Sequence, residues 1–248
     1  MKQFFIEDDG IKLNAKLDMP VNGADKCPLC LVFHGFTGHM EEDHIVAVAK
    51  AMNEVGVATL RVDLYGHGNS DGEFKNHNLY KWLNNILTVT DYAKKLDFVT
   101  DMYICGHSQG GLAVTLAAAM EGNLFKALLP LAPAYLIPIG ARAGVLLGQP
   151  FDPHNIPDVM VSWDDRELSG NYIRVAQTID CDKAIKKYKG KVLIVHGDED
   201  EAVPLDFSTS AAEKFKDCKL VVVKGSNHCY DNHLDTVVEA IKDFFKTL

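Results

Sequence analysis

Gly106-His107-Ser108-Gln109-Gly110-Gly111 is the stretch on which the reading of this chain turns. Asp101-Met102-Tyr103-Ile104-Cys105 precedes it, short, apolar and β-leaning. Leu112-Ala113-Val114-Thr115-Leu116-Ala117-Ala118-Ala119-Met120 follows it, rich in strong helix formers. A G-x-S-x-G match between a strand and a helix predicts a sharp turn that holds a serine above a sheet edge. Such a turn needs a strained backbone at the serine and flanking residues without side chains, so that the helix can pack close. It aims the Ser108 hydroxyl outward and puts the first N–H groups of the helix where an oxyanion would form. A chance match in a Gly-rich turn is the alternative, and it weakens with each partner found elsewhere in the chain.

The rest of the sequence supplies a scaffold of the matching kind. Residues 2–7 and 11–19 flank Asp8-Asp9-Gly10 and predict a hairpin. Ile11, Leu13, Ala15 and Leu17 alternate with polar residues, which predicts one covered and one wet face. Residues 28–34 form an apolar run expected of a strand buried on both faces, ending in His34-Gly35-Phe36-Thr37-Gly38. A helix is expected over 41–55, a strand over 57–62 ending at Asp63, and a long helix over about 78–96. Further strands are expected at 126–130, 191–196 and 219–223, with helices at 205–215 and 232–247. Alternating buried strands and amphipathic helices predict an α/β fold: a mostly parallel sheet, eight-stranded here, flanked by helices. Residues 133–176 break the alternation with five prolines and the aromatics Tyr135, Phe151, Trp163 and Tyr172. So long an excursion between strands reads as a cap inserted over the carboxyl edge of a single domain, its aromatics expected to be exposed.

Composition narrows the function. With 248 residues, 47% hydrophobic and 24% charged, the chain has length for one large soluble domain. A formal net charge of −9 argues against nucleic acid or an anionic membrane as partner. No apolar run approaches the length of a membrane span, the first residues do not read as a signal peptide, and six cysteines do not make a disulfide scaffold. Cys27-Pro28-Leu29-Cys30 lacks a second pair and reads as structural. A reduced, cytoplasmic protein is the expectation, with a homodimer left open.

Serine hydroxyls need a base, and the base an orienting acid; in this fold the order is serine, acid, histidine. The strand ending at His196 leads into Gly197-Asp198-Glu199-Asp200-Glu201-Ala202-Val203-Pro204, and the last strand into Gly225-Ser226-Asn227-His228-Cys229-Tyr230. Both turns belong to the strand edge that carries Ser108, so His228 is the expected base. On sequence alone four carboxylates compete to be the acid. No H-E-x-x-H or P-loop pattern occurs, and neither metal nor cofactor is expected.

G-H-S-Q-G-G, the H-G-F turn and G-D-E-D-E-A-V-P together resemble the α/β-hydrolase superfamily. Asp9-Gly10-Ile11-Lys12-Leu13, residues 63–70, Trp163, Asn171-Tyr172 and His228-Cys229-Tyr230-Asp231 further resemble the small bacterial feruloyl (cinnamoyl) esterases, over nearly the whole chain. The resemblance implies Ser108 as nucleophile, Asp200 as acid, His228 as base, and the Phe36 and Gln109 N–H groups as the oxyanion hole. It implies a carboxylic ester hydrolase forming an acyl-serine on a small hydroxycinnamoyl ester, and the aromatics of the cap, Trp163, Tyr172 and Tyr135, are the expected substrate contacts. Where some relatives carry polar cap residues, residues 139–148 offer only Arg142. A general short- or medium-chain acyl esterase, akin to a monoacylglycerol lipase, is the alternative activity. A non-catalytic ligand receptor on the same fold is the alternative outside enzymes.

Overall fold

The computed structural model describes residues 2–248. The chain begins with β1 (Lys2–Asp8) and β2 (Ile11–Asp18), turned at Asp9 and Gly10, both at positive φ. β3 (Cys27–Phe33), α1 (Asp43–Glu54), β4 (Ala58–Val62), α2 (Leu79–Ala93), β5 (Val99–His107), α3 (Gln109–Glu121) and β6 (Phe125–Leu131) follow. The next stretch carries α4 (Leu136–Ala143), β7 (Val145–Leu146), β8 (Gln149–Pro150), β9 (Val159–Val161), β10 (Glu167–Ser169), α5 (Asn171–Gln177) and α6 (Cys181–Lys187). β11 (Lys191–Gly197), α7 (Asp206–Lys214), β12 (Cys218–Val223) and α8 (Leu234–Phe245) complete it.

Eight strands form one sheet in the order β1-β2-β4-β3-β5-β6-β11-β12. β2 runs antiparallel to β1 and β4, and every other pair is parallel. β3 shows why the core has two halves. Leu29, Leu31 and Phe33 enter the cluster that includes side chains of α2 and α3, while Cys30 and Val32 enter the cluster that includes α1 and α8. Period-2 alternation buries a strand on both faces only when helices cover both, which is why this run is apolar throughout. Cys27 and Cys30 divide between the two clusters as free thiols, so their spacing reflects packing.

The expected elements are present, with ends shifted by a few residues. α2 starts one residue late because Asn78 is its N-cap, accepting the Lys81 N–H. The expectation of a wet face on β2 is corrected at Asn14. This residue is fully buried, and its Nδ2 donates to Asp63 Oδ2 at 2.8 Å. A polar residue at an alternating position reads as exposed, but a buried carboxylate across the strand gives it a partner instead. No helix among the described residues is long and apolar enough to cross a membrane.

Candidate active site

The β5–α3 junction is the site's most constrained point. Ser108 has φ 55° and ψ −121°, a conformation costing about 1–3 kcal/mol unless its surroundings enforce it. They do: its N–H donates to Leu131 O at 2.8 Å, and its carbonyl accepts the Leu112 and Ala134 N–H groups. The turn is thereby bolted to the end of β6. A Cβ on Gly106 would lie 2.5 Å from Gly110 O, and one on Gly110 would strike the His34 carbonyl. α3 is apolar on every side, with residues 109–119 all buried, so its N-terminus cannot shift. The Gln109 N–H there and the Phe36 N–H after β3 donate to no acceptor among the described residues.

The turn after β11 sets one carboxylate apart from its neighbours. Asp200 Oδ1 accepts the N–H groups of Ala202 and Val203, at 2.9 and 2.8 Å. Its Oδ2 accepts His228 Nδ1–H at 2.6 Å and lies 3.1 Å from the buried His196 Nε2, which also bonds the Val203 carbonyl at 2.9 Å. Burial pushes the Asp200 carboxyl upward, but these donors from His196, His228 and Val203 outweigh it and hold it well below the ordinary carboxylate range. Asp198 instead caps Gly225 N–H at 2.6 Å, and Glu199 and Glu201 are exposed. Of the four competing carboxylates, only Asp200 meets the histidine.

His228 follows β12 in a turn fixed from below. Tyr230 is fully buried, with φ 62°, and its hydroxyl donates to Val195 O at 2.9 Å. His107 Nε2–H donates to the His228 carbonyl at 2.9 Å. With Nδ1–H committed to Asp200, His228 Nε2 is left as the acceptor nitrogen. Ser108 and His228 border one cavity of about 680 Å³. Gly35, Phe36, Gln109, Val203 and Cys229 complete its base, while Leu136, Ile137, Val145, Leu146, Leu147, Trp163 and Tyr172 roof it.

The aromatics expected at the substrate divide. Trp163 is 62% exposed and borders the cavity, its ring 4.9 Å from that of Phe36. Tyr172 also borders it but is buried, donating its hydroxyl to Gln109 Oε1 at 2.6 Å. Tyr135 does not reach it: buried in the core, its hydroxyl bonds that of Thr115 at 2.8 Å. For Tyr135 and Tyr172 the expected exposure is therefore corrected, because each hydroxyl has a buried partner far along the chain. Arg142 is likewise taken up by the Gln177 and Ile179 carbonyls. Three positions carried no usable signal in the sequence. His196 lies beside Asp200 and ties its turn at the Val203 carbonyl, His107 braces His228, and Glu42 places a carboxylate on the cavity wall. His107 lies inside the Gly-rich hexapeptide and His196 adjoins the acidic turn, but neither pattern assigned them a role.

A strained serine turn at the end of the fifth strand of a mostly parallel sheet, beneath a roofed cavity, defines the α/β-hydrolase class. Within it the chain belongs to the family described as serine aminopeptidase, S33, whose model matches residues 24–171; a second model, for TAP-like protein, matches residues 161–248. The chain is similar to Est1E from Butyrivibrio proteoclasticus, in a structure with ferulic acid bound. The two are 61% identical, the likeness covers 98% of each chain, and the TM-score is 0.97. It is similar to the human protein ABHD12B, 26% identical over 192 residues, which is 76% of this chain and 50% of that one. It thus spans about half the length of that relative. It is also 24% identical over 246 residues to the bifunctional esterase/perhydrolase DCH of Acinetobacter calcoaceticus, covering 83% of this chain and 87% of that one.

Proposed function

We propose that this protein hydrolyses carboxylic esters of hydroxycinnamic acids, feruloyl esters among them, through an acyl-serine. Ser108 is the nucleophile, His228 the base, Asp200 the orienting carboxylate, and the Phe36 and Gln109 N–H groups the oxyanion hole. As Ser108 Oγ bonds to the ester carbon, its proton passes to His228 Nε2 and the carbonyl electron pair moves onto oxygen, facing the two N–H groups. Collapse of that intermediate breaks the bond to the alcohol, which leaves with the proton from His228. A water then attacks the acyl-serine by the same route, releasing the acid and restoring Ser108. Asp200 keeps the proton on Nδ1 and opposes the positive charge that His228 gains.

One observation carries the acyl assignment: the likeness to Est1E with ferulic acid bound extends over 98% of both chains. Residues 133–176 act as the cap, and Trp163 offers its face to the aromatic acyl group. The apolar roof at Ile137, Val145, Leu146 and Leu147 favours a second reading, an aliphatic acyl esterase. Comparing kcat/KM for methyl ferulate and methyl butyrate decides between them. Methyl ferulate is expected to be the better substrate by at least tenfold, and a preference for butyrate would establish the second reading. Ser108→Ala should abolish both activities and fluorophosphonate labelling, a loss on the order of 10⁴-fold or more in kcat, with the melting temperature unchanged. Substantial turnover by the purified variant would remove Ser108 as nucleophile.

A further inference from the structure

Behind His228, three side chains that the proposed mechanism does not use converge. His44 from α1, His107 at the end of β5 and Cys229 after the base each present a donor atom, all within 4.8 Å of one another. His44 is 4% exposed, and its Nε2 has no hydrogen-bond partner. His67, His77 and His233 also carry a partnerless buried ring nitrogen, but of the four only His44 lies beside a second imidazole and a thiol, where that nitrogen is open to a ligand. Glu42 Oε2 lies 4.0 Å from that same nitrogen. Glu42, His107 and Cys229 also border the cavity, so an ion has a path to them from solvent.

We propose that His44, His107 and Cys229, with Glu42 as a fourth donor, form an inhibitory site for a thiophilic divalent cation, zinc in the first instance. Two imidazoles, a thiolate and a carboxylate make a zinc donor set, whereas magnesium and calcium select oxygen alone. Zinc bonds of about 2.0–2.3 Å in tetrahedral geometry need donors roughly 3.3–3.7 Å apart. His44, His107 and Cys229 must therefore close by about 1 Å, and Glu42, whose Oε2 accepts the His39 N–H at 3.2 Å, must leave that bond to join them. Binding displaces the Cys229 thiol proton to solvent and forms a Zn–S bond, with no change of oxidation state. The ion then pulls on both neighbours of His228: Cys229 adjoins it in the chain, and His107 holds its carbonyl at 2.9 Å. A displaced imidazole no longer meets Ser108, and turnover stops. The inhibition rests on the proposed role of His228; the binding does not.

Cobalt(II) titration of the purified protein reads binding apart from activity. One cobalt per chain should give a near-ultraviolet thiolate charge-transfer band and tetrahedral visible bands, displaced by zinc and lost in Cys229→Ser. Micromolar zinc should lower methyl ferulate turnover at least tenfold, reversibly with a chelator. The half-inhibitory concentration should rise roughly 10–100-fold in Cys229→Ser and in His44→Gln, each measured against its own zinc-free rate. Circular dichroism identifies a variant that fails to fold, and the other then decides. Absence of the thiolate band at millimolar cobalt overturns the site. A band without inhibition by zinc overturns the inhibitory role. Undiminished inhibition of both folded variants assigns the effect to zinc on His228 itself and overturns it too. If Ser108→Ala retains turnover, the proposed function fails while the cobalt band stands.

Discussion

Asp200 turns one oxygen to the Ala202 and Val203 N–H groups and the other to His228, while Asp198 spends its carboxylate on Gly225 N–H. Asp200→Asn should therefore lower kcat on the order of 10⁴-fold, since an amide in place of the carboxylate favours the wrong imidazole tautomer. Asp198→Asn should cost far less, and a more severe loss there would reverse the assignment of the acid. The depressed Asp200 carboxyl has a thermodynamic side. A group whose folded pKa lies below its unfolded value stabilises the fold fully above that unfolded value, about 3.9, and loses this as pH falls toward the folded one. Asp200→Asn should accordingly flatten acid denaturation below about pH 4, read from unfolding midpoints. Gly110 has a different sensitivity, because a methyl there meets the His34 carbonyl. Gly110→Ala should lower the melting temperature by roughly 2–12 °C, in contrast to Ser108→Ala.

The β9–β10 hairpin projects Trp163 over the cavity from a largely exposed position, held mainly by the Phe36 ring. Stacking of an aromatic acyl group on it would be worth about 0.5–1.5 kcal/mol beyond burial. Trp163→Ala should thus lower kcat/KM for methyl ferulate by up to roughly tenfold, with a smaller loss on an acetyl ester and little change in melting. Equal losses on the two esters would remove Trp163 from the acyl site. Elements such as β3 and the β5–α3 turn were legible in the sequence because local pattern and tertiary environment agree there: an apolar run is buried, and a Gly-flanked serine turns. The roof was less legible. Tyr135 and Tyr172 owe their burial to Thr115 and Gln109, distant partners that no local periodicity encodes. The choice of Asp200 over its three neighbours likewise needed the position of His228, which a single acidic turn cannot reveal.

Across the molecule, five histidines are buried against protonation. Burial is the leading cause at each: it lowers His34 and His44 to about 4, His67 and His77 to about 3, and His107 well below its ordinary value. Such groups stay neutral in the folded chain and take up protons in the unfolded one near pH 6.5. Stability therefore falls as pH drops from about 6.5 toward 4, because each of these histidines binds a proton only on unfolding. Unfolding near pH 5 should take up several protons, about one fewer in His67→Gln, and a melting temperature flat between pH 7 and 5 would contradict this. The cavity wall has a consequence for traffic. Glu42 and Glu201 border the chamber in a chain of net charge −9. An ester arrives uncharged and feels little of this field. The acid split from it emerges as an anion between like charges, and is ejected toward open water, so that release is hastened by the same walls that admitted its parent.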